Sequence, residues 1–173
     1  RGNDSSSGLL KIATENAGGD GLSGSLIVSS GTTSKGSSGN MTLISGTAST
    51  GGGGGVSIVV GTGATVSGGK LVMNAGSSGD DSGGYVSLLS GSSSSQSSGD
   101  FKIQTLHGTN GMSGSLKIES GASSDGGSGA FAMHSGNAES GSGGNISVVA
   151  GTGKGDVGGS ITMNAGLASG SGS

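Results

Sequence analysis

The chain has 173 residues, 44 of them Gly and 39 Ser, with 28 % hydrophobic and 10 % charged residues and a formal net charge of −3. Leu, Ile, Val and Phe number 31 in all, too little apolar volume for an ordinary globular core. There is no Cys for a disulfide scaffold or thiolate metal site, no apolar run of membrane-helix length, and no basic stripe for nucleic acid.

Residues 1–7 contain no signal-peptide core and resemble the tail of a preceding repeat unit. An irregular unit of 16 residues follows at 8–23. From 24 to 173 the chain is ten regular units of 15 residues, opening at Gly24, Gly39, Gly54, Gly69, Gly84, Gly99, Gly114, Gly129, Gly144 and Gly159. A second Gly recurs seven residues later in every unit except one, where Leu106 replaces it. A flexible linker has no reason to keep such a register, so the composition reads as a repeat rather than as disorder.

Within a unit, counted from its first Gly, positions +2 and +4 are always apolar. At +2 stand Leu26, Met41, Val56, Leu71, Val86, Phe101, Leu116, Phe131, Ile146 and Ile161. At +4 stand Val28, Leu43, Ile58, Met73, Leu88, Ile103, Ile118, Met133, Val148 and Met163. Position +6 is mostly small. Period-two alternation bounded by Gly predicts a half-buried strand, and no window carries the helical period.

One strand per 15 residues at constant spacing predicts an all-β fold: a parallel β-solenoid of about eleven coils in a single domain, 1–173. Eight extended residues reach roughly 26 Å, enough to return from the end of one strand to the start of the next. Stacked at about 4.8 Å per coil, the units would make a rod of roughly 50 Å. The +2 and +4 columns are the expected core. The opening glycines are the expected corners, needing positive φ or close backbone approach. Two large side chains per unit cannot offset the entropy of ordering 15 residues, so such a coil depends on its neighbours.

Units six apart resemble one another. Val56-Ser-Ile-Val-Val-Gly-Thr-Gly63 matches Ile146-Ser-Val-Val-Ala-Gly-Thr-Gly153, and Leu10-Lys-Ile-Ala-Thr14 matches Phe101-Lys-Ile-Gln-Thr105. A duplicated block of about 90 residues explains this. Neither end reads as a cap, so the expectation is a segment of a longer array, or protomers stacking end to end. Apolar residues on the outward positions, among them Ile27, Ile44, Val59, Val72, Leu89 and Val149, are compatible with lateral packing of rods.

The chemistry-bearing residues are sparse. His107 and His134 stand alone, the sole Arg is Arg1, and no nucleophile elbow, phosphate loop or paired-acid motif occurs. The return segments hold only Asp20, Asp80, Asp81, Asp125 and Asp156, too few for a calcium-binding repeat. No catalytic residue, cofactor or metal is therefore expected. Sequons at Asn3, Asn40 and Asn145 offer glycan acceptors, the last two at the outward position +1. The alternative role is ice binding by a flat Thr array. Thr32, Thr47, Thr62 and Thr152 share position +8, but six other residues interrupt the rank.

Segments such as Ser38-Gly-Asn-Met-Thr-Leu-Ile-Ser-Gly-Thr47 and Gly143-Gly-Asn-Ile-Ser-Val-Val-Ala-Gly-Thr-Gly153 resemble the Gly/Ser-rich repeats of algal and stramenopile surface-filament proteins, mastigoneme-like or adhesive. They are also similar to tracts of viral and phage fibre proteins. The resemblance implies a non-enzymatic structural protein outside the cell or at its surface. Its partner would be other copies of itself, without nucleic acid or membrane insertion, and it carries no site residues with it.

Overall fold

A computed structural model describes residues 7–155 and 157–167. The sequence period is present in the backbone. Bends fall at 34–36, 49–51, 64–66, 79–81, 94–96, 109–111, 124–126 and 139–141, with the next starting at 154. Each lies ten residues after the opening Gly of its unit. A turn at 19–20 takes that place in the irregular unit.

The chain divides into two units, Arg1–Val86 and Ser87–Ser173. In the first, the amides of Gly54, Gly69 and Gly84 donate to the carbonyls of Gly46, Gly61 and Gly76 at 2.8–3.1 Å. In the second, Gly99 donates to Gly91 and Gly159 to Gly151, both at 2.9 Å. Each bond closes a nine-residue Gly/Ser-rich loop, counted with both glycines, at a glycine neck.

The β-solenoid predicted from the alternation is overturned. Among the described residues there is no strand, no sheet and no helix. The physical reason lies at the necks. A solenoid connection would carry Gly54 back to Gly39, where the preceding segment begins. Instead Gly54 is held at Gly46, where that segment ends. Contacts between residues twelve or more apart are correspondingly sparse. Each of these five bonds engages one amide and one carbonyl that a neighbouring coil would otherwise have paired; Gly39, Gly114, Gly129 and Gly144 make no such bond, and the described residues beside them form no strand either.

No core forms without that stacking. None of the described residues is buried. The alternation survives only as a gradient. Ile161 at +2 is 50 % exposed and Val56 54 %, whereas the outward Ile27 and Val59 are 83 % and 86 % exposed. Residues two apart thus share a face, as the alternation predicts. The same geometry sets Lys117 Nζ 2.7 Å from Glu119 Oε2, an exposed pair that contributes little to stability.

Candidate functional site

The repeated loop is the most organised element of the chain, and three of its positions set its shape. The first is the opening Gly of the following unit. A Cβ there would meet the +6 side chain nine residues earlier: 3.2 Å from Ser45 Cβ at Gly54, 3.3 Å from Ser135 Cβ at Gly144, and 2.5 Å from Val60 Cγ1 at Gly69. None of these opening glycines is among the described residues with positive φ. At Gly24, Gly54, Gly69, Gly144 and Gly159 the close approach of neighbouring atoms, including the +6 side chain, favours Gly, whereas at Gly39, Gly99, Gly114 and Gly129 an added Cβ would meet only ordinary contacts of 3.6–3.9 Å.

The second is position +9, which no single residue type marks in the sequence. At three of its four hydroxyl residues, Thr33, Ser78 and Ser93 but not Ser123, the side-chain oxygen accepts backbone amides of the bend. Thr33 Oγ1 accepts from Lys35 at 3.3 Å and Ser78 Oγ from Asp81 at 3.0 Å. Ser93 Oγ accepts from both Ser95 and Gln96, at 3.3 and 2.9 Å. Where it is Gly, at Gly63, Gly108 and Gly153, the loop folds tightly onto itself. A Cβ on Gly108 would lie 2.7 Å from the Gly111 carbonyl oxygen. These glycines recur every 45 residues, or three units, a regularity readable in the sequence once position +9 is aligned.

The third is position +12, the last residue of the bend. Gly36, Gly126 and Gly141 hold φ of 96°, 116° and 126° there, a region open to Gly and costly for other residues. Gly51 and Gly111 occupy +12 without positive φ, and among the described residues the units lacking Gly there have Val66, Asp81 or Gln96, with Gly63, Ser78 or Ser93 at +9.

The twenty residues of the +2 and +4 columns are all exposed, by half or more. The structure does not gather them into a common interior. His107 and His134 are both exposed. Asn40 and Asn145 are exposed, while Asn3 lies outside the described residues. Lys11, Ala13, Thr14, Glu15 and Asn16 line a shallow, largely polar hollow. Beside it Thr14 Oγ1 donates to the Gly24 carbonyl at 3.2 Å. Among the described residues no three His, Asp or Glu converge to hold a metal ion, and no helix is long and apolar enough to cross a membrane.

Compared with protein families, with curated proteins and with solved structures, the chain matches none of them.

Proposed function

We propose that the chain is a structural repeat protein that forms or decorates an extracellular or cell-surface fibre, associating laterally with further copies of itself. The observation that carries this reading is the exposure of every +2 and +4 apolar residue at an unbroken 15-residue spacing. Apolar side chains left in water favour association, at about 1.5–3 kcal/mol for each large side chain fully covered. A second copy presents the same columns at the same intervals, so two chains match along their length at any shift of one unit. The role is non-enzymatic and needs no cofactor, nucleic acid or membrane insertion. Glycans on Asn40 and Asn145 would project from exposed backbone. The resemblance to surface-filament and fibre repeats supports the same role.

Electron microscopy of the purified chain, with sedimentation over a range of concentrations, tests the proposal. Filaments or concentration-dependent assemblies are expected. A chain that remains monomeric at high concentration and shows thermal hysteresis in freezing water would instead favour the ice-binding alternative.

A further inference from the structure

We infer that Asn110 is a site of spontaneous covalent modification, at which the chain converts its own side-chain amide to a carboxylate through a succinimide. Eight Asn occur in the chain, and Asn110 alone precedes Gly. Asn16, Asn74, Asn137 and Asn164 precede Ala, and Asn40 and Asn145 precede Met41 and Ile146. The residue after Asn supplies the attacking nitrogen, so a side chain there crowds the reaction and Gly leaves it open.

The local structure favours the attack. Asn110 and Gly111 are exposed and lie in the bend at 109–111. No atom comes within 4 Å of where a Gly111 Cβ would sit. Among the described residues no hydrogen bond engages the Gly111 amide. In the reaction this nitrogen gives its proton to solvent base and bonds to Asn110 Cγ. The Cγ–Nδ2 bond breaks and Nδ2 leaves as ammonia, taking up a proton from water. One water then opens the five-membered ring at either carbonyl, giving Asp or isoaspartate. Nothing is oxidised or reduced. The formal net charge falls from −3 to −4, since one neutral amide becomes one carboxylate.

The chain contains its own comparison. In the duplicated block, Gly108-Thr-Asn-Gly-Met112 corresponds to Gly18-Gly-Asp-Gly-Leu22. Asp20 thus stands where Asn110 stands, followed by Gly21. There the amide of Gly21 donates to the Gly18 carbonyl at 3.1 Å, and a Cβ on Gly21 would lie 3.2 Å from Ala17 Cβ. The same backbone nitrogen is occupied and crowded in the first copy but free in the second.

The test is incubation of the full chain in mildly alkaline buffer, followed by peptide mapping by mass spectrometry, ammonia release and isoaspartate labelling with a methyltransferase. Asn110 is expected to convert before any other Asn, with one equivalent of ammonia. Gly111→Ala adds a methyl into open space at a residue without positive φ. It should slow conversion several-fold and leave the other Asn rates unchanged. Conversion of Asn110 no faster than that of Asn16 or Asn137, or an unchanged rate in Gly111→Ala, would overturn the assignment.

Discussion

The amide of Gly84 donates a 2.8 Å hydrogen bond to the carbonyl of Gly76, eight residues earlier, and so closes a loop on itself. That bond recurs in both units of the chain wherever a neck is formed. The loops so closed alternate along the chain with segments whose apolar residues are exposed.

The necks differ in how much room they leave. At Gly84 an added Cβ would meet Gly76 N at 3.4 Å and Ala75 Cβ at 3.5 Å, close to ordinary contact. At Gly69 it would meet Val60 Cγ1 at 2.5 Å. Gly84→Ala should therefore keep its neck, while Gly69→Ala should open its own. Adding Val60→Ala should restore it. Exchange of the residue 69 amide, compared across the single and double variants, checks this.

Ser93 lies in the loop at 91–99 and accepts two backbone amides through one oxygen. Ser93→Ala removes the acceptor and should destabilise the bend by about 0.5–1.5 kcal/mol. Ser93→Asp keeps an oxygen there and should be nearly silent. Chemical shifts of the Ser95 and Gln96 amides distinguish the two variants.

Gly141 closes its bend at φ 126° with no atom within 4 Å of an added Cβ. A substitution there meets only backbone strain. Gly141→Ala should cost about 1–2 kcal/mol locally and shift the bend at 139–141 while leaving other loops unchanged. Residue-resolved chemical shifts along the second unit report it.

Leu71 is 56 % exposed, so Leu71→Asp should change the dilute chain by less than about 0.5 kcal/mol, as surface substitutions do. In assembled material the same charge would have to be covered by a neighbouring copy. The variant should therefore raise the concentration needed for association while leaving the monomer's circular dichroism unaltered. Loss of structure in the dilute chain would show that Leu71 is buried after all.

Much of this organisation was legible in the sequence. The fifteen-residue period, the opening glycines and the small +6 column all have counterparts in the backbone, because each reflects a contact made within nine residues along the chain. Gly69 against Val60 is such a contact. The β-solenoid was inferred from the alternation at Leu71 and Met73, which says only that residues two apart share a face. It does not say whether a partner covers that face. Whether a connection returns to Gly39 or closes on Gly46 depends on competition between a local glycine hydrogen bond and a distant ladder, and eight Gly/Ser-rich residues permit both. The importance of position +9 was hidden for another reason: Ser93 and Gly108 hold the same bend by opposite means, so no single residue type marks the column.

Amide hydrogen exchange on the dilute, unassociated chain, resolved by residue, is the most direct test. The account predicts that the amides of Gly54, Gly69, Gly84, Gly99 and Gly159 exchange about three- to tenfold more slowly than their neighbours, with Ile58, Met73 and Leu88 unprotected. Protection running through whole segments, and shared by residues fifteen apart, would contradict it.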